Sequence, residues 1–246
     1  MRGWRQELAG LVLPVDCAGC GAARVLLCAG CREALSGAGP VPARPSPPPA
    51  GLPAVHAAAA YEGVVRAVLL AHKERGALPL AGALGAALAG AVRASGSGVV
   101  GRGAGGGGLG EGEREVALVP VPSARRQVRA RGHDPARRIA LAAAGRLRRD
   151  GVPARVAPVL RLRRAVADQA GLGAGQRREN LAGALGVCRG GARLLDGAVI
   201  VLVDDLITTG ATLAEAARAV RAANLGQEVL RAAVVAATRT EQKSCE

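Results

Sequence analysis

The chain has 246 residues, of which 50% are hydrophobic, and its formal net charge is +14 at neutral pH. This length suits one domain of ordinary size with a small additional segment, and the charge favours anionic partners such as polyphosphates or nucleic acid. With no Phe, one Tyr and one Trp, the sequence disfavours a platform that stacks nucleic-acid bases. It has no apolar run near the roughly 18 residues of a membrane span, so we expect a cytoplasmic protein without membrane insertion.

The first pattern along the chain is a pair of Cys-x-x-Cys turns formed by Cys17, Cys20, Cys28 and Cys31. Four thiolates can complete one tetrahedral metal site with no open position for a substrate. We therefore predict a structural zinc ion that supplies much of the folding free energy of this short segment. A rubredoxin-like iron site and disulfides remain alternatives, although disulfides are rare in cytosolic proteins. Cys188 and Cys245 have no Cys or His at metal-ligand spacing.

These cysteines place a zinc-knuckle segment at residues 1–39, and a Pro-rich linker follows at 40–53. The linker holds seven prolines, which predict an extended spacer. The main domain is expected at 54–240, with a Gly-rich insertion at 95–112 that we expect to be disordered. Residues 241–246 are predicted to be a disordered tail.

Helical and strand patterns alternate through the main domain, as in α/β proteins whose mostly parallel, Rossmann-like sheet is flanked by helices. Residues 61–66 lead into a predicted helix that ends near Lys73, and further helices are predicted at 78–92, at 134–149 and from near Ala211 to about Asn224. Strands are predicted at 116–121, 156–160, 199–203 and 229–236. An Arg-rich loop is expected after Pro122.

The most informative stretch is V-I-V-L-V-D-D-L-I-T-T-G-A-T-L at residues 199–213. Its apolar start predicts a buried central strand, so Asp204 and Asp205 lie at the carboxyl end, where open α/β sheets bind ligands. The hydroxyls of Thr208, Thr209 and Thr212 accompany the free N–H groups of a helix start, an arrangement that binds phosphate.

Two carboxylates beside a phosphate site would repel the phosphate if they pointed at it. They fit another part of the same ligand, such as the vicinal hydroxyls of a ribose. Gly210 lets the backbone turn tightly and approach that ligand closely. The segment therefore predicts a site for a ribose 5-phosphate unit.

This segment resembles the phosphoribosyl pyrophosphate (PRPP) motif of type I phosphoribosyltransferases. Three further stretches extend the resemblance: Y-x-G-V-V-R-x₆-K at 61–73, V-P-V-P at 119–122 with the arginines that follow it, and D-Q-x₇-R-x₂-N-L-x-G-A at 168–184. Together with the four cysteines, they are similar to the ComF family. These phosphoribosyltransferase-like proteins are associated in bacteria with DNA uptake during natural competence.

The resemblance implies a type I phosphoribosyltransferase fold and the following site. Asp204 and Asp205 would hold the ribose as the catalytic pair, and the 5-phosphate would be bound by Thr208, Thr209, Gly210, Ala211 and Thr212. Bidentate guanidinium groups suit pyrophosphate, and the candidates are Arg125, Arg126, Arg129 and Arg131. A closing loop would contribute Gln169, Arg177 and Asn180, and Mg²⁺ would accompany the pyrophosphate.

The implied reaction transfers ribose 5-phosphate from PRPP to an acceptor and releases pyrophosphate. Two alternatives remain open, namely a non-catalytic PRPP-sensing module and an accessory protein that binds single-stranded DNA or a competence helicase. One departure from the family is that His133 and Asp134 replace the usual aromatic and amide after Arg131-Gly132. At this position His133 would be a polar substitute for the usual aromatic side chain. Lys73, one of only two lysines in the chain, hints at a further requirement.

Overall fold

A computed structural model describes residues 16–37, 39–96, 114–164, 166, 174–223 and 230–238. Its strands are β1 (Val41–Pro42), β2 (Ala54–Ala60), β3 (Val116–Pro120), β4 (Ala154–Val156), β5 (Leu160–Leu162), β6 (Leu185–Val187), β7 (Val199–Ile207) and β8 (Arg231–Ala237). Its α-helices are α1 (Ala29–Ser36), α2 (Gly63–Glu74), α3 (Ala81–Ala94), α4 (Arg125–Arg131), α5 (Pro135–Arg149), α6 (Ala174–Leu181) and α7 (Ala211–Arg221). Short 3₁₀ helices occupy Leu78–Leu80 and Gly191–Leu194.

Six strands form one sheet in the order β1-β2-β8-β7-β3-β4. Every neighbouring pair is parallel except β1 and β2, which are antiparallel. The register places Val203 of β7 opposite Pro120 of β3 on one side and Ala233 of β8 on the other. The predicted α/β class with a mostly parallel central sheet is therefore confirmed, and β5 and β6 form a separate antiparallel pair.

Two apolar cores cover the two faces of this sheet, because side chains alternate along each strand. Val203 and Val235 pack on one face with Leu84 of α3 and Ile139 of α5. The opposite core contains Leu202 and Val234, with Leu213 and Val220 of α7 and Leu185 of β6. Aliphatic side chains and alanines fill both cores, as the scarcity of aromatic residues requires.

The prediction of a single strand at 156–160 is wrong in one respect, since the structure divides this segment between two sheets. Strand β4 ends at Val156, and β5 begins only at Leu160. Pro158 lies between them and has no N–H to donate to a sheet. Val159 then bonds back to Ala157, with its N–H donating to the Ala157 carbonyl at 2.8 Å.

Two other segments differ in detail from the sequence analysis. The Arg-rich segment expected as a loop after Pro122 forms α4, which continues until Gly132 adopts a left-handed conformation with φ of 74°. Strand β7 extends past the predicted end at Val203 to Ile207, because β8 pairs with it through Ala237. Both acids of the motif therefore lie within the strand.

Residues 40–53 pack against the domain along part of their length. Val41–Pro42 pairs with β2 as the edge strand β1, and Ala43 is buried. The carbonyl of Gly51 accepts a hydrogen bond from Nη1 of Arg221 at 2.7 Å. Most of the Gly-rich insertion and residues 241–246 lie outside the described residues.

Candidate functional site

The four cysteines of the N-terminal pattern converge in space, because Cys17 and Cys20 lie on one turn while Cys28 and Cys31 lie at the start of α1. All four Sγ atoms lie within 4.8 Å of one another. In a tetrahedral site with zinc–sulfur bonds of about 2.3 Å, sulfur atoms lie about 3.8 Å apart. The cluster therefore fits that arrangement, and it could hold a structural zinc ion.

Backbone N–H groups point at these sulfurs. The N–H of Cys28 donates to Sγ of Cys17 at 3.3 Å, and that of Cys31 donates to Sγ of Cys28 at 3.4 Å. Such bonds from Cys28 and Cys20 lower the pKa of the Cys17 thiol to about 6, whereas burial raises the pKa of the Cys31 thiol. Thiolates are the ligating form of cysteine, so a bound metal ion would stabilise the deprotonated form of all four side chains.

The cysteine knuckle, residues 17–31, packs directly on α2. A Cβ atom on Gly19 would lie 2.7 Å from Sγ of Cys31 and 2.9 Å from Cγ1 of Val64, so a larger residue there would force these side chains to move. Cys17, Cys31 and Leu35 belong to the same apolar core as α2 and α3. The knuckle is thus continuous with the packing of the main domain.

The second candidate site lies at the carboxyl end of β7. Asp205 is 7% exposed, and its Oδ2 accepts a hydrogen bond from Nζ of Lys73 at 2.8 Å. Oδ1 of Asp204 accepts from the N–H of Asp205 at 2.8 Å. Burial alone would lower the pKa of Lys73, but the carboxylates of Asp205 and Asp204 outweigh it and raise that pKa.

The ionised carboxylate of Asp204 lowers the stability of the folded state. Burial and the adjacent Asp205 carboxylate raise the pKa of Asp204 well above its usual value of 3.8. The folded state therefore binds a proton more tightly than the unfolded chain. Its stability falls as the pH rises from the unfolded pKa through the raised folded pKa.

Asp204→Asn is therefore expected to increase the free energy of unfolding at pH 7 and to flatten its pH dependence. The amide keeps the carbonyl oxygen that accepts from Asp205. Urea denaturation at several pH values measures the effect. The matched control is Asp196→Asn, an exposed carboxylate just before β7, which should leave the curve unchanged. A less stable Asp204→Asn protein at pH 7 would contradict the argument.

The loop after β7 leads into α7 as the sequence predicts. Gly210 has φ of +75°, and a Cβ there would lie 3.0 Å from Cδ2 of Leu52 and 3.1 Å from Cγ of Pro45. Oγ1 of Thr209 accepts from the N–H of Ala211 at 3.4 Å, and Thr212 lies in the first turn of α7. The hydroxyl-bearing loop therefore joins the end of β7 to the start of α7.

The predicted arginines divide into two kinds. Arg125, Arg126 and Arg129 are exposed on α4, which follows β3, the neighbour of β7. Arg131 instead pairs with Glu74: its Nε donates to Oε2 at 3.0 Å and its Nη2 to Oε1 at 2.6 Å. The structure thus commits the guanidinium of Arg131 to a carboxylate at the end of α2.

The residues predicted on a closing loop are not brought into the site by the described part of the chain. Gln169 lies outside the described residues, as does the side chain of Arg177, whose backbone belongs to α6. Asn180 also lies on α6, and its carbonyl accepts from Nη2 of Arg164 at 2.9 Å. Their predicted role stays a prediction.

Two clefts lie at this edge of the sheet, and only the smaller of the two is lined by one of the acids. A small cleft of about 150 Å³ is lined by Tyr61, Lys73, Glu74 and Asp205 among others. A larger cleft of about 770 Å³ lies at the carboxyl ends of β2 and β8, between α1, β1 and the start of α2, and Arg44, Glu62 and Thr238 supply polar groups to it. Space for ligands is therefore present at this edge of the sheet.

Sequence reasoning missed Glu74 and the partner of Lys73. The scarcity of lysine drew attention to Lys73, but the 132 residues that separate it from Asp205 hid the contact. No sequence signal marked Glu74.

No protein-family model matches the chain, and a search of curated proteins finds no match either. Among the described residues, none of the helices combines the length and apolar character needed to cross a membrane.

Proposed function

We propose that the chain is a PRPP-binding, phosphoribosyltransferase-like protein of the ComF type. The observation that carries the proposal is the arrangement at the end of β7, where two adjacent carboxylates precede a turn rich in hydroxyls and then a helix start. A ribose 5-phosphate unit matches both halves, since the carboxylates accept from its hydroxyls and the helix start binds its phosphate.

In the proposed reaction, the bond between the anomeric carbon and the pyrophosphate oxygen breaks, and its electron pair leaves with pyrophosphate. A nucleophilic acceptor forms the new bond to that carbon. Positive charge develops on the ribose, and the carboxylates of Asp204 and Asp205 stabilise it. The Lys73 ammonium and the exposed arginines Arg125, Arg126 and Arg129 favour binding of the polyanionic substrate.

Two metal ions complete the proposal. Zinc in the cysteine cluster would have a structural role, since four thiolates complete its coordination. Mg²⁺ would bind the pyrophosphate group and offset its negative charge, because a hard cation prefers phosphate oxygens.

Calorimetry with PRPP and Mg²⁺ tests the proposal. The wild type is expected to show saturable binding, whereas the double variant Asp204→Asn/Asp205→Asn should lose it. Asp196→Asn, which removes an exposed carboxylate at the other end of β7, should bind like the wild type. The variant proteins must first show a wild-type circular dichroism spectrum.

The outcomes separate this function from its alternatives. If PRPP binds and at least one acceptor compound causes pyrophosphate release, the chain is a transferase. If PRPP binds but no acceptor tested causes release, the chain is a PRPP-sensing module. A folded wild type that does not bind PRPP would refute both. The net charge of +14 would then favour an accessory that contacts the backbone of single-stranded DNA, with a steep salt dependence.

A further inference from the structure

The ends of α2 and α4 are joined by a compact set of polar contacts. Glu74 is the last residue of α2, and Arg131 is the last residue of α4. Their bidentate pair has distances of 3.0 and 2.6 Å, and the Arg131 side chain is only 16% exposed. Bidentate arginine–carboxylate pairs fix orientation as well as distance.

His133 adds a second link between the same two helices. Its Nδ1 lies 3.1 Å from the carbonyl oxygen of Arg131, and its Nε2 lies 3.1 Å from that of His72. Each ring nitrogen therefore lies within hydrogen-bond distance of a carbonyl oxygen, which is an acceptor for an imidazole N–H.

We call this set the α2–α4 clasp (Glu74, Arg131 and His133), and its two attachment points on α2, His72 and Glu74, flank Lys73 in sequence. The carbonyl of His72 and the side chain of Glu74 hold α4, while Lys73 between them reaches Asp205. The clasp therefore fixes α4 relative to the ion pair at the end of β7.

We propose that the α2–α4 clasp positions α4 for ligand binding, so that its exposed arginines meet the pyrophosphate group while the acids of β7 hold the ribose. Arg131 acts through Glu74 and is a positioning residue, in contrast to the direct pyrophosphate contact that its place in the motif implies. This inference rests on the proposed function and refines it, because it assigns the two halves of the ligand to separate structural supports.

The experiment compares three probes by calorimetry on the full chain: PRPP with Mg²⁺, inorganic pyrophosphate with Mg²⁺, and ribose 5-phosphate. Glu74→Gln removes the charge and one acceptor oxygen of the ion pair, and His133→Leu removes both ring nitrogens of the second link. Glu33→Gln, an exposed glutamate on α1, is the matched control. The charge reversal Glu74→Arg/Arg131→Glu restores an ion pair with the partners exchanged, and circular dichroism verifies folding.

Glu74→Gln and His133→Leu should each weaken PRPP and pyrophosphate binding about ten-fold, with ribose 5-phosphate affinity unchanged. The charge reversal should recover most of the loss relative to Arg131→Glu alone. Unchanged pyrophosphate affinity in both clasp variants would overturn the inference. So would an equal loss for ribose 5-phosphate, which indicates general disruption. A wild type that binds none of the probes would instead refute the proposed function itself.

Discussion

Replacement of Cys31 by serine is expected to empty the four-cysteine cluster of metal and to destabilise the whole domain. Cys31 is 4% exposed, and its Sγ lies so close to Gly19 that a Cβ atom there would be only 2.7 Å from it. Structural zinc contributes about 10–16 kcal/mol of apparent binding free energy in small zinc peptides. A typical domain has only about 5–15 kcal/mol of total stability, so even partial coupling is large.

The effect should reach beyond the knuckle, because Cys17, Cys31 and Leu35 share a core with Val65 and Leu84. Elemental analysis should give one zinc per wild-type chain and none in the variant, and the thermal unfolding midpoint should fall strongly. Cys188→Ser is the control, since Cys188 lies outside the cluster. A Cys31→Ser protein that unfolds at the wild-type temperature would show that the metal does not support the fold.

Lys73→Met is expected to cost about 3 kcal/mol of stability, at the lower end of the range for breaking a buried ion pair. The variant leaves Asp205, which is 7% exposed, without its ammonium partner. Its neighbour Asp204 adds a second carboxylate at the same point. We expect the lower end of this free-energy range because the Lys73 side chain is 32% exposed.

Urea denaturation of a double-mutant cycle measures this pair. Asp205→Asn in the Lys73→Met background should recover part of the loss, since the Asp205 carboxylate is then no longer buried without its ammonium partner and only the Asp204 carboxyl group remains. Arg66→Met removes an exposed cation from the same helix and should change stability little. If Lys73→Met and Arg66→Met lower the free energy of unfolding equally, the Lys73–Asp205 ion pair contributes nothing beyond the effect of a surface charge.

Local patterns predicted the parts of the candidate site that lie close together in sequence. The Cys-x-x-Cys spacing led to a cluster whose sulfurs converge, and the apolar run before Asp204 led to the central strand β7. Both depend on neighbouring residues, for which turn geometry and strand periodicity are sufficient guides. Helix α5 was likewise predicted at 134–149, and in the structure Asp134 accepts from the N–H of Arg137 as its N-cap.

The contacts between distant segments were beyond sequence reasoning. Lys73 reaches Asp205, and His133 reaches the carbonyl of His72, only because the parallel sheet brings β7, α2 and the end of α4 to one edge. Residues 156–160 form parts of two strands because each half of the segment joins a different sheet. Such partners are fixed by packing of the whole domain, which a single sequence pattern does not encode.

The contact of Gly19 with Val64 bears on how this chain could be divided or recombined. The knuckle and the sheet domain share one interior, so a chain cut between them would leave apolar surface of α2 and α3 open to water. Exchange of the knuckle for another of the same cysteine spacing would have to preserve the small residue that faces Val64. The two parts are therefore expected to tolerate exchange only together, as a single unit.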